Sequence, residues 1–319
     1  MTPVLEAPVL EAQGLRFGYD PAHPVLDGAD LALPAGRRIA VLGPNGGGKT
    51  TLFRLLAGSL VPQAGRVLLD GEPVGPRRRG LTALRRAVQL VLQDPDDQLF
   101  SATVAQDVSF GPVNLGLDDA AVRDRVDGAL RALGVAELAD RAVHRLSFGQ
   151  RKRVAIAGAV AMAPRLLVLD EPTAGLDPSG VEALLETLAA LHATGTTPVL
   201  STHDVDLAHR WADEVAVVAG GRVVTGPAAE VLGDAELLTA SGLTPAWAPA
   251  VAALLARAGV PGHPRTAAEL HALLVAHPTG VDRRPGVPGG TVNDGTQNDG
   301  TQAMAPPGAS EEMSCPIRS

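Results

Sequence analysis

The chain has 319 residues, is 45% hydrophobic and 19% charged, and carries a formal net charge of −8. Such a composition suits a folded chain with a substantial core, in one large domain or two. The negative balance and an aromatic content of 3% argue against non-specific nucleic-acid binding and base-stacking platforms. The single cysteine, Cys315, leaves no intrachain disulfide and suits a reducing compartment. No charged-then-apolar leader is visible, and the stretch VAIAGAVAMA (154–163) is too short for the roughly 20 residues of a bilayer span. The chain is expected to be soluble by itself and to reach a membrane only through a partner.

Residues 1–10 read as a loose extension. Strand-like runs follow over 11–33, broken at Asp20-Pro21 and Pro24. The apolar run RIAVL (38–42) reads as a buried strand, and LFRLLAG (52–58) as a helix closed by Gly58. Between them lies GPNGGGKTT, a match to G-x-x-x-x-G-K-[ST] in the strand–loop–helix setting that pattern requires. Its glycines let successive N–H groups turn toward one anion, and the helix start near Lys49 adds a positive dipole end. Gly43, Pro44, Asn45, Gly46, Gly47, Gly48, Lys49, Thr50 and Thr51 are therefore candidate phosphate-binding residues. Lys49 can reach the outer phosphates, and the Thr50 hydroxyl can ligate magnesium. Only two of the 27 basic residues are lysines, Lys49 and Lys152. An ammonium fits inside a loop where a guanidinium does not, so a lysine here points to a site that needs one.

Further strands are expected at 66–70, 87–93, 166–170 and 198–202. Helical patterns occupy parts of 103–133 and all of 153–163, 178–193 and 204–212. Residues 214–224 read as a hairpin through Gly220-Gly221. Alternating buried strands and helices imply an α/β fold with a largely parallel sheet covered on both faces. LLVLDE (166–171) places Asp170 and Glu171 at the C-terminal end of a buried strand, where ligands sit in such sheets. Asp170 is placed to hold magnesium, and Glu171 to orient or deprotonate an attacking water.

Taken together, PNGGGKTT, Gln93 at a strand end, LSFGQRKR (146–153), VLDEPTAGLDP (168–178) and STHD (201–204) resemble, in identity and order, an ABC-type ATPase cassette. The resemblance covers roughly residues 10–275. It implies a P-loop NTPase core with an antiparallel N-terminal β-subdomain and a helical signature subdomain, binding ATP and Mg²⁺. It implies that Tyr19 stacks on adenine and that Gln93 reaches the magnesium and the attacking water. Ser147, Gly149 and Gln150 then face the ATP of a second protomer, Asp177 links the protomers, and His203 contacts the γ-phosphate. Phe148 departs from the commoner glycine at its position and puts the local loop conformation in question.

Residues 93–117, 146–162 and 242–274 resemble the ATPases of energy-coupling-factor importers, particularly the cobalt/nickel type. That likeness implies a transmembrane coupling protein and a small cargo-binding membrane protein as partners, at the cytoplasmic face of the cell membrane. A vitamin importer of the same kind, a non-hydrolysing nucleotide-sensing module, or a soluble cassette ATPase are the other readings. The latter resemble chains with tandem cassettes or a coiled-coil insert; this chain has one copy of each motif and no heptad-rich insert. The expected organisation is an extension (1–10), an ATPase domain (11–234), a small helical region (235–277) broken near Gly262–Pro264, and a disordered tail (278–319) with a tandem NDGTQ repeat.

Overall fold

The structure, a computed structural model, describes residues 8–20, 22–75, 78–262 and 264–277. Two antiparallel strands come first, β1 (Pro8–Phe17) and β2 (Leu26–Pro34). Leu10 pairs with Leu33 on one side and Leu69 on the other. That buried pairing draws Pro8–Leu10 into the sheet, so the extension expected over residues 1–10 loses its last three residues to β1. Residues 1–7 and the tail expected over 278–319 lie outside the described residues.

The apolar strand β3 (Ile39–Leu42), buried throughout, leads into the phosphate loop and helix α1 (Lys49–Leu56). Leu52, Phe53, Leu55 and Leu56 bury one face of α1; each such side chain contributes about 1.5–3 kcal/mol. With β4 (Ala64–Leu69) and β5 (Glu72–Pro73), the N-terminal strands form a four-stranded antiparallel sheet in the order β2-β1-β4-β5.

Helix α2 (Arg78–Ala87) follows, then β6 (Val88–Val91). The strand expected over 87–93 is shorter for a local reason. Ala87 ends α2, and the Leu92 N–H donates to Gln98 Oε1 at 3.1 Å instead of to a neighbouring strand. Helices α3 (Val104–Asn114), α4 (Asp119–Ala132) and α5 (Phe148–Ala161) then form a helical layer. α5 starts well before the expected residue 153, because Ser147 and Gln150 close a reciprocal capping box at its N-terminus.

The chain returns through β7 (Leu166–Leu169), α6 (Pro178–Ala193), β8 (Thr197–Thr202), α7 (Val205–Trp211), β9 (Glu214–Ala219) and β10 (Arg222–Pro227). The main sheet has the order β10-β9-β3-β8-β7-β6. All its pairings are parallel except the β9–β10 edge, the hairpin through Gly220-Gly221. Its two faces feed two separate cores. Ala40 and Leu42 of β3 face the helices α5, α6 and α7, while Ile39 and Val41 face α1 and the antiparallel sheet. Burial on both faces explains why these strands read as continuous apolar runs. Arg38 pairs bidentately with Asp213, Nη2 to Oδ1 at 2.7 Å, holding the starts of β3 and β9 together.

Four short helices follow: α8 (Ala228–Val231), α9 (Ala235–Ala240), α10 (Trp247–Arg257) and α11 (Ala267–Ala276). α10 meets α7 where the Trp247 N–H donates to Asp206 Oδ1 at 3.2 Å. Among the described residues, no helix is long and apolar enough to cross a membrane.

Candidate active site

The parallel strands β3, β6, β7 and β8 point their C-terminal ends at one place, and the functional side chains collect there. The phosphate loop leaves β3 at Gly43 and enters α1 through Gly48, whose φ is +101°. A side chain at Gly48 would be strained by that φ and would press on Val25 and Leu26 at 3.1–3.3 Å. Lys49 is buried, and its Nζ donates to the carbonyls of Gly43 (2.7 Å) and Pro44 (3.2 Å). The same ammonium lies 3.2 Å from Glu171 Oε1.

Beyond β7, Asp170 is 2% exposed and accepts two hydroxyl hydrogen bonds. Thr50 donates to its Oδ2 and Ser201 to its Oδ1, each at 2.6 Å. Ser201 Oγ in turn accepts the Glu171 N–H at 2.8 Å. Glu171 has a φ of +45°, a conformation that a non-glycine residue keeps only when its surroundings impose it. Its carboxylate is buried between Lys49 and the exposed His203, whose Nδ1 lies 3.2 Å from Oε2. Gln93, Thr50, Asp170 and Phe148 line one cavity of about 420 Å³. Thr50 and Asp170 offer two hard oxygens side by side, with Gln93 facing the same space. That set fits Mg²⁺, which takes one or two protein oxygens and leaves its other positions to phosphates and water.

The remaining expected residues fall at the margins. Tyr19 is 63% exposed, its ring edge-on to Phe17 and its hydroxyl 3.4 Å from Thr51 Oγ1. Ser147 is the N-cap of α5, and Gln150 turns its side chain back to the Ser147 N–H (3.0 Å), so both side chains serve the helix start. Phe148 leaves that start intact. Its ring packs against Gly175, where any added Cβ would come within 2.7 Å of it. Asp177 caps α6, and the Gly180 N–H, then the Ser179 hydroxyl, hold its carboxyl below the usual range. Asp96, in the turn after Gln93, forms an ion pair with Arg151 of α5 at 2.7 Å.

Two residues of the site were not anticipated. Ser201 opens the stretch STHD (201–204), but nothing in a strand-end serine marks it as the bridge between Asp170 and Glu171. Lys152 had a signal, as the second of only two lysines. It is 1% exposed, and its Nζ donates to the carbonyls of Glu171 (3.1 Å) and Ala174 (2.8 Å).

Residues 26–174 match the family model described as ABC transporter. The chain is 55% identical to a cobalt import ATP-binding protein, CbiO, of Rhodobacter capsulatus, over 75% of this chain and 85% of that one. It is 44% identical to the energy-coupling factor transporter ATP-binding protein EcfA3 of Clostridium perfringens, over 73% of this chain and 83% of that one. The solved structure of cbiO1 from Clostridium perfringens, described as part of the ABC transporter complex cbiONQ, superimposes with a TM-score of 0.66 at 44% identity. It covers 73% of this chain and 94% of that one. The phosphate loop, the acidic end of β7 and this similarity along nearly the whole of its relatives lead to one statement: the chain belongs to the ATP-binding proteins of ABC transporters and is an ATPase.

Proposed function

We propose that this chain is the ATP-hydrolysing subunit of an energy-coupling-factor importer for cobalt or nickel ions, working at the cytoplasmic face of the cell membrane. The observation that carries the catalytic part is the convergence of Lys49 and His203 on the buried carboxylate of Glu171. In this reading the phosphate loop grips the triphosphate, and Lys49 exchanges Glu171 for phosphate oxygens. The carboxylate thus released takes the proton of the attacking water, which Gln93 and His203 help to orient. Thr50 and Asp170 hold Mg²⁺, which neutralises phosphate charge when bound. Tyr19, exposed beside Thr51, carries the adenine. Ser147, Gly149, Gln150 and Asp177 complete the site of a second protomer, with the α5 N-terminus supplying N–H groups to its γ-phosphate.

The transmembrane partner is assigned to a groove of about 440 Å³ lined by Leu99, Phe100, Phe110, Gly111 and Met162. Phe100 and Phe110 stay 66% and 52% exposed, which a partner's apolar segment would relieve. The metal cargo rests on the Rhodobacter relative's name, and a vitamin importer is the competing reading.

Purification of the tagged chain from membranes tests the assembly. A co-purifying transmembrane scaffold with a small membrane protein that binds Co²⁺ or Ni²⁺ is expected; recovery of the chain alone, or of a vitamin-binding protein, overturns the respective part. Glu171→Gln tests the chemistry. It should retain Mg·ATP and lower turnover by about 10²–10³-fold, and wild-type phosphate release would remove Glu171 from the role of base.

A further inference from the structure

We infer that Lys152 is a positioning residue for catalysis, holding Glu171 in its unusual backbone conformation by a bifurcated grip on the turn that follows it. Both of the chain's lysines converge on this one glutamate. Lys49 lies against its carboxylate, and Lys152 donates to its main-chain carbonyl at 3.1 Å. The other donation of Lys152, to the Ala174 carbonyl at 2.8 Å, reaches the far side of the same turn. The turn is closed on itself by the Ala174 N–H donating to the Glu171 carbonyl at 3.1 Å.

Glu171 needs such a grip. At a φ of +45° its backbone occupies the left-handed region, which a residue with a Cβ keeps only where its surroundings impose it. Its N–H is held by Ser201 Oγ at 2.8 Å, and its C=O by Lys152. With both peptide groups held, the carboxylate is aimed at the space shared by Lys49 and His203. Without Lys152, the carbonyl keeps only the Ala174 N–H among the described residues, and the glutamate can relax away from that direction. A misplacement of about 1 Å in a catalytic group costs up to about 10²-fold in rate.

A cation this deeply buried needs a reason. Lys152 is 1% exposed, in the first turns of α5, with its ammonium 5.4 Å from the centre of the Phe148 ring. Burial pulls its pKa from 10.5 down to about 8, against the attraction of Glu171, Asp94 and Asp170. A core whose only task was to be filled would gain from an apolar side chain of the same volume. The position also places the grip on the helix that begins at Ser147, so the segment assigned to the partner's nucleotide and the base of the protomer's own site share one side chain.

The inference rests on Glu171 being the base, which Glu171→Gln tests separately. For Lys152 the test is phosphate release by the full-length chain, with Lys152→Met and Lys152→Gln beside wild type, and with Mg·ATP binding and thermal melting measured on each. Methionine fills the slot and removes every donor; glutamine restores an amide that donates to carbonyls. The expected result is a fall in kcat of about 10-fold or more in Lys152→Met, at unchanged KM and nucleotide affinity, with most of the loss recovered in Lys152→Gln. Wild-type kcat in Lys152→Met would overturn the inference. So would a loss of melting temperature and nucleotide affinity alongside kcat in both variants, which would make Lys152 merely structural.

Discussion

At the β3 end of the site, Lys49, Asp170 and Glu171 are each less than a tenth exposed, and every one is engaged by side chains of the same chain. At the α5 end, Ser147 is exposed, Phe148 is 36% exposed and Gly149 half-buried. There the helix start is capped, and among the described residues Ser147 and Phe148 stay exposed on its outward side. Buried charges must be satisfied internally or the fold fails, so the first end is complete in one protomer. A helix N-terminus in water has no such obligation; under the proposed function the second end would take up its role when another molecule brings phosphate to it.

The sharpest way to break this comparison is at Lys49. Lys49→Ala should weaken Mg·ATP binding by about 10²-fold or more, measurable by calorimetry, because a charge-assisted contact to phosphate is lost. It also strands the buried Glu171 carboxylate, at a cost of about 3 kcal/mol, or about 6–12 °C in Tm. Unchanged binding would contradict the placement of the triphosphate.

Mixing variants sharpens the claim that the α5 end works in trans. Ser147→Asp keeps a good N-cap but sets a negative charge where a γ-phosphate is expected. Lys49→Ala and Ser147→Asp chains should each be inactive alone. In an equal mixture about half of the dimers pair the two variants, each with one intact site, so about a quarter of wild-type turnover should return. No recovery would mean that the two ends do not meet across a dimer.

A third test uses pH. The Lys152 ammonium loses its proton as pH rises through about 8, but the neutral amine keeps two N–H groups for its two carbonyls, so kcat should show no alkaline limb from this residue. Stability should respond instead. Between about 8 and 10.5 the unfolded chain holds the proton that the folded one has released, so this residue's contribution to stability rises with pH. The smallest effect is expected far from the chemistry. Asp206→Ala removes the acceptor of the Trp247 N–H, worth about 1 kcal/mol or about 2–4 °C in Tm, with turnover unchanged.

Much of the α/β core is legible because its determinants are local. A phosphate loop needs glycines and one lysine at fixed spacing, and doubly buried strands such as Leu166–Leu169 need continuous apolar runs. Helix α2 is hard to read although its residues sort strongly into an arginine side and an apolar side, because only Leu81, Ala83, Leu84 and Ala87 of its 10 residues are apolar. β6 was drawn too long because the competing acceptor for Leu92, the Gln98 side chain, lies on a turn whose shape no propensity encodes.

Residue identity, read in order along the chain, was enough to locate Lys49, Thr50, Asp170, Glu171 and His203 and the chemistry they suit. Folding decided how they are wired: that Ser201 bridges Asp170 to the Glu171 backbone, that Phe148 lies on Gly175, and that Lys152 grips the turn after Glu171 from a different helix. Those contacts join positions about 19 to 31 residues apart. No local spacing rule links such distant residues, because only the packing of β7, β8 and α5 sets their separation.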